Sequence, residues 1–358
     1  MLLALLRWYS IFTFFWGIFV VCVFQKFLDS MPQIRDPRLM NDTRYPAFTR
    51  SDQKGFNKNK LLVGAIFTLP LRFGIIVFGF VARALGMRLL AVLMGTKDWS
   101  KERTVVSEKA VNWILRFCTV IAMWLFTFGR HSRKLVKLDM TKYPKLRLKP
   151  RSARASFLVS NHVAVLDQVW FMCLEYGLAF VAKASMLKVP FLGFEMKMTQ
   201  CLGFDRTSPE GRETLLKELG KRNEDIQAGK RFAPLVIYPE GTTTNGKCVI
   251  EFKKGAFYHL APIRVVGLKY WGNFHPSLVF MKQFNSFLIM LSQLDTRTEC
   301  WEVDGVIEPA PGISYQEYLQ EVRRIYVEDL GFQDSSNTFQ EKMQFEGPAM
   351  AGGAKNYY

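Results

Sequence analysis

The residues best suited to chemistry fall in two short clusters. The first is Asn161-His162-Val163-Ala164-Val165-Leu166-Asp167, directly after the run Ser156-Phe157-Leu158-Val159-Ser160. An imidazole beside a carboxylate can serve as a general base: the carboxylate holds one ring nitrogen, and the other accepts a proton. The spacing restricts how the pair can meet, because in one continuous helix the two residues would lie about 140° apart. They meet only if His162 precedes a helix and Asp167 lies in its first turns. Such a pair is the histidine–aspartate half of a catalytic triad, with a substrate hydroxyl in place of a protein serine. The alternative is a buried histidine that caps the helix.

The second cluster is Tyr238-Pro239-Glu240-Gly241-Thr242-Thr243-Thr244-Asn245-Gly246, after the apolar Leu235-Val236-Ile237. Pro and Gly around a lone Glu set a tight turn at a strand end. Its backbone N–H groups and three hydroxyls could cradle a phosphate or a polar headgroup, or form a plain turn. Lys253 and Lys254 begin a helix-like stretch and suit a phosphate, or are ordinary exposed charges. Arg206 follows Gly203-Phe204-Asp205, with Lys183 and Lys188 upstream. It could grip a phosphate with both guanidinium arms, or sit on a surface loop.

Strands alternating with helices must position these residues. Strand-like runs are 156–160, 178–182, 234–238, 263–270 and 300–307; helix-like stretches are 165–174, 185–199, 209–228 and 315–330. This alternation predicts an α/β fold, a mostly parallel sheet flanked by helices, over residues 131–330. His162 then falls at a strand-to-helix turn, where such folds commonly place active sites.

The segments before it are apolar. Residues 1–25 read as an uncleaved membrane anchor, since Phe, Trp and Val occupy the place where a signal peptide needs small residues. Residues 26–60 form a basic linker assigned to the cytosol by its positive charge. Residues 61–130 are membrane-embedded or interfacial helices. Pro70, Arg72, Arg83 and Arg88 break the first apolar stretch into pieces and favour a re-entrant or interfacial hairpin with arginines snorkelling to headgroups. The basic run 130–154 reads as a headgroup-contacting collar or a solvated loop. The polar, Gly-rich tail 331–358 is expected to be disordered.

Composition agrees. Of 358 residues 49% are hydrophobic, yet the net charge is +17. That combination suits a protein lying in a bilayer beside anionic headgroups and argues against a nucleic-acid binder. Four histidines and six cysteines without a CxxC pair argue against a metal site. The scattered thiols suit a reducing compartment.

Taken together, the motifs resemble the glycerolipid acyltransferase family, which includes lysophosphatidic acid acyltransferases. His162 and Asp167 match its His-x4-Asp motif, Tyr238 to Thr242 match Phe-Pro-Glu-Gly-Thr with Tyr for Phe, Arg206 matches the arginine of its second motif, and Pro262 the proline of its fourth. Order and separation agree over roughly residues 61–309. Thr242 to Gly246, Phe252 to Phe257 and Gly267 to Tyr270 are most like the lysophosphatidylcholine and lysophosphatidylethanolamine branch. The departures are Gly203 and Phe204, out of register before Arg206, and Arg264-Val265 where a second proline is usual.

The resemblance implies an enzyme of phospholipid synthesis or remodelling, in the endoplasmic reticulum with its catalytic domain facing the cytosol. It would carry an acyl group from acyl-CoA, a co-substrate and not a cofactor, to a lysophospholipid or glycerol phosphate. His162 and Asp167 would be catalytic. Arg206, Glu240, Gly241, Thr242 and Lys183 would bind the acceptor, and Lys253 and Lys254 would contact the donor or a phosphate. The oxyanion hole would come from backbone N–H groups near Asn161 or Gly241. A lysophosphatidic acid or glycerol-3-phosphate acyltransferase is the nearest alternative, and a non-catalytic membrane lipid-binding protein the alternative of another kind.

Overall fold

The computed structural model describes residues 2–30, 42–50, 57–95, 99, 101–127, 130–164, 166–174, 177–205, 208–279 and 281–350. The N-terminal helices are α1 (Leu2–Phe19), which continues through a π-helical turn (Val20–Phe24) into α2 (Gln25–Ser30), then α3 (Lys58–Phe67), α4 (Leu69–Met94) and α5 (Val105–Thr127). Next come β1 (Arg130–Val136), β2 (Leu146–Lys149), β3 (Phe157–Ser160), α6 (Leu166–Leu174), β4 (Ala179–Lys183), α7 (Leu192–Met198), β5 (Leu202–Phe204), α8 (Pro209–Gln227), β6 (Leu235–Ile237), β7 (Cys248–Val249) and β8 (Ile263–Gly272). They are followed by α9 (Gln283–Ser292), β9 (Thr296–Val303), β10 (Val306–Pro309), α10 (Tyr315–Glu328), β11 (Gln333–Asp334) and α11 (Phe339–Met350).

The main sheet runs β1-β9-β8-β3-β6-β4-β5. β3 pairs in parallel with β6 and β8, and β4 with β5 and β6. β9 lies antiparallel to β8, so the sheet is mixed but mostly parallel. All four residues of β3 are buried, as befits a central strand covered on both faces. Alternate residues supply the two layers. Phe157, Val159, Ile263 and Val265 pack against Tyr318, Val322 and Ile325 of α10. Leu158 and Val266 pack on the other face with Trp170 and Phe171 of α6.

Several expectations are corrected. The apolar stretch 61–95 is divided once, at Thr68 between α3 and α4, and not at its arginines: Pro70 stands in the first turn of α4, where its missing N–H costs nothing, and the helix runs on to a left-handed Gly95. Arg72 and Arg83 are turned to protein partners, whereas Arg88 is exposed. Arg72 donates to the carbonyls of Leu291 and Gln293, Arg83 pairs with Glu195, and Arg88 lies over Phe191 at 4.8 Å. The opposite face is apolar and exposed, with Phe78, Leu85, Leu89 and Val92. Near the far end of α4, Met87 packs with Trp99 and Met198. Both ends of α4 therefore touch the α/β region that follows. Residues 7–30 and α4 are each long and apolar enough to cross a bilayer.

The basic run 130–154 is not simply a loop, since it contains β1 and β2. Arg133 and Arg151, with Arg264 of β8, converge on the buried Glu302. This ion cluster accounts for Arg264. The run 300–307 divides into β9 and β10 around Gly305, and the run 185–199 divides into a 3₁₀ turn (Ala184–Lys188) and α7. The expected disordered tail is also corrected. β11 pairs with β7, and α11 packs through Phe345 against Tyr45, with ring centroids 4.8 Å apart. Residues 351–358 lie outside the described residues.

Candidate active site

β3 ends at Ser160 and delivers His162 into the loop before α6, while Asp167 occupies the first turn of that helix. This is the one arrangement in which their spacing lets them meet. His162 Nδ1 lies 2.8 Å from Asp167 Oδ2. The same oxygen accepts the N–H groups of Val163 at 2.7 Å and Ala164 at 3.1 Å. The hydroxyl of Tyr270 donates to Asp167 Oδ1 at 2.7 Å. Asp167 is wholly buried and its carboxylate is clamped on both oxygens. His162 retains partial exposure and lines a cavity of about 350 Å³.

Three further contacts set the imidazole. Its ring stacks on Tyr238, centroids 4.0 Å apart and planes at 14°. Its backbone N–H donates to Glu240 Oε2 at 2.8 Å, and its carbonyl accepts the Thr244 N–H at 2.8 Å. Asn161 bonds Leu268 N and Leu268 O through its side chain, tying the loop to β8. Burial, and then the Asp167 charge, hold the Tyr238 and Tyr270 hydroxyls well above the ordinary phenol pKa. Tyr270 therefore remains a donor. The Tyr238 hydroxyl has no hydrogen-bond partner among the described residues.

Glu240 is fully buried and does not face the cavity. Its second oxygen accepts Ile250 N–H at 3.3 Å, and burial pushes the carboxyl up to about 8. Gly241, in the left-handed conformation at φ 67°, and Thr242 bring the motif to the cavity wall. Lys183 reaches the same cavity from the end of β4. Lys253 pairs with Glu251 at 3.1 Å, and Lys254 lies over the Tyr258 ring at 5.1 Å, so both lie off this wall. Arg206 lies outside the described residues. The N–H groups of His162, Val163, Ala164 and Gly241, the offered oxyanion donors, all bond within the protein.

The rest of the cavity wall is largely apolar, with Leu115, Met172, Phe180, Met186, Leu192 and Met196. Set into it is the Arg83–Glu195 pair, at 2.9 and 3.0 Å. Sequence reasoning missed Tyr270, Asn161 and Lys342 of α11 as site residues. Tyr270 and Asn161 stood in motifs already noted, without a role; Lys342 carried no local signal, being drawn in from a segment read as tail.

Residues 141–268, which carry His162, Asp167 and Glu240, match the family model described as Acyltransferase. Among curated proteins, the chain is similar to lysophospholipid acyltransferase LPEAT2 of Arabidopsis thaliana, at 28% identity over 70% of this chain and 45% of that one. It is also similar to LPEAT1 of the same plant, at 35% over 33% of this chain and 29% of that one, and to human lysophosphatidylcholine acyltransferase 2, at 30% over 32% and 20%. The chain spans less than half the length of each of these relatives. Among solved structures, it resembles the 1-acyl-sn-glycerophosphate acyltransferase PlsC of Thermotoga maritima, at TM-score 0.47 and 17% identity over 72% of this chain and 91% of that one.

Proposed function

We propose that this protein transfers a fatty acyl group from acyl-CoA to the free hydroxyl of a lysophospholipid, with His162 as general base. The observation that carries the reading is the His162–Asp167 pair, closed at 2.8 Å and set at the head of a cavity with an apolar wall. With Nδ1 bound to the carboxylate, Nε2 is the nitrogen left to take a proton.

In this reading Nε2 removes the acceptor hydroxyl proton as the oxygen attacks the thioester carbon. The ester C–O bond forms, the C–S bond breaks, and coenzyme A leaves as a thiolate that recovers the proton from the imidazolium. Asp167 holds the tautomer and stabilises the imidazolium. General-base catalysis of this kind supplies about 10²–10⁴-fold, and positioning much of the remainder. Gly241, Thr242, Lys183 and Arg206 bind the acceptor, and Lys253 and Lys254 contact a donor or phosphate group approaching from outside the cavity. Glu240 serves from behind, by holding the His162 backbone. The exposed apolar faces of α1 and α4 rest in the bilayer, so both lipid substrates reach the cavity laterally from the cytosolic leaflet, in the endoplasmic reticulum.

The test uses membranes containing the full chain, labelled oleoyl-CoA, and an acceptor panel of glycerol 3-phosphate and the lysophospholipids with choline, ethanolamine, serine or no headgroup. Transfer to a choline or ethanolamine lysolipid, lost by about 10³-fold or more in His162→Ala, is the expected result. Transfer only to glycerol 3-phosphate or lysophosphatidic acid moves the protein to de novo synthesis. No transfer at all leaves a non-catalytic lipid-binding protein.

A further inference from the structure

The ammonium of Lys342 is buried inside the reaction cavity, although it belongs to α11, beyond the acyltransferase-family segment. Its three donors are directed at Thr242 Oγ1 at 3.1 Å, Thr243 Oγ1 at 2.9 Å and Thr243 O at 2.8 Å. These are neutral oxygens. Glu346 is the near carboxylate, at 3.9 Å, too far for a hydrogen bond. A buried cation whose ion-pair partner, also on the cavity wall, stands 3.9 Å off is only partly compensated, and an anion seated in the cavity completes it. Burial accordingly lowers the lysine pKa, against the smaller opposing pull of Glu346 and Glu240.

The hydrogen bonds also have a direction. Each threonine hydroxyl accepts from the ammonium, so its own proton points elsewhere. Thr242 and Thr243 both line the cavity that holds His162. Two hydroxyl donors backed by one fixed positive charge make a receptor for a phosphate group. Lys183 lines the same cavity from the end of β4.

The segment that carries Lys342 is anchored independently. β11 pairs with β7, Ser335 N–H bonds Val249 O at 3.1 Å, and Glu251 N–H bonds Asn337 O at 3.3 Å. Asn337 Nδ2 also bonds Arg44 O at 3.0 Å. Lys342 is thus delivered to the threonines by a built strap.

We propose that Lys342, with the hydroxyls of Thr242 and Thr243, forms the seat for the phosphate group of the acyl acceptor. The inference rests on the functional reading above and adds to it the residue that recognises the acceptor's charge.

The experiment measures KM for the lysophospholipid acylated fastest in the panel, and separately KM for oleoyl-CoA, in full-length protein and its Lys342→Met variant. Acceptor KM is expected to rise about 10–100-fold, the weight of a charged hydrogen-bonded contact, with the oleoyl-CoA KM in place. Thr243→Val, which keeps the lysine and removes one hydroxyl, is expected to move acceptor KM in the same sense by about 3–10-fold. A rise confined to oleoyl-CoA assigns the seat to a donor phosphate and overturns the proposal. A fall in kcat or in folded protein with both KM values in place makes Lys342 a structural strut and overturns it as well. Wild-type protein that acylates no phosphorylated acceptor overturns the functional reading itself, which is a separate result.

Discussion

The hydroxyl of Tyr270 donates a 2.7 Å hydrogen bond to Asp167 Oδ1, so the carboxylate that orients His162 is itself held from the neighbouring strand. Tyr270→Phe removes this bond without changing the packing. A bond to an ionised group is worth about 1.5–3 kcal/mol. The variant is expected to lose about tenfold or more in kcat with little change in acceptor KM, because Tyr270 acts through Asp167. Steady-state kinetics on both substrates checks this.

Glu240 links stability to pH. Its ordinary value is 4.5, and burial raises it to about 8 in the folded protein. The folded state therefore keeps a proton that the unfolded state releases. The stabilisation is fully present below about 4.5 and is lost as pH rises through about 8. Glu240→Gln keeps the shape and cannot ionise. Thermal unfolding at pH 5, 6, 7 and 8 should show wild-type Tm falling across the series and a flatter dependence in the variant.

The Arg83–Glu195 pair joins α4 to the cavity wall with side chains only 14% and 4% exposed. Removing one partner strands a charge in an apolar setting, which costs about 3–5 kcal/mol. Arg83→Met alone is expected to destabilise by this order, and the double variant Arg83→Met/Glu195→Leu to recover most of it. A double-mutant cycle by thermal or urea unfolding measures the coupling.

Glu302 is the common partner of Arg133, Arg151 and Arg264 and is buried. Glu302→Ala leaves three guanidinium groups crowded together without their shared counterion. Its expected cost is about 3–5 kcal/mol, larger than that of removing any single arginine. The urea midpoint, read at constant slope, provides the comparison.

Much of this molecule was legible locally. The run Phe157–Ser160 is apolar on both faces because it is a central strand, and that property is written in consecutive residues. The His162-to-Asp167 spacing admits one productive geometry, so the strand–loop–helix junction followed from it. The Pro-Glu-Gly turn, with Gly241 at positive φ, was equally readable, because a left-handed turn selects glycine. What the residues did not reveal depends on partners far along the chain. A run of lysines and arginines looks the same in a loop and in β1, until Glu302, some 170 positions from Arg133, takes up Arg133 and Arg151. The arginines of α4 look costly until the carbonyls of Leu291 and Gln293 and the carboxylate of Glu195 are brought to them. A polar tail looks disordered until β7 offers an edge to β11 and a buried pair of threonines offers acceptors to Lys342. Local backbone preference and hydrophobic period determine elements and turns, whereas the pairing of buried charges is a property of the assembled tertiary structure alone.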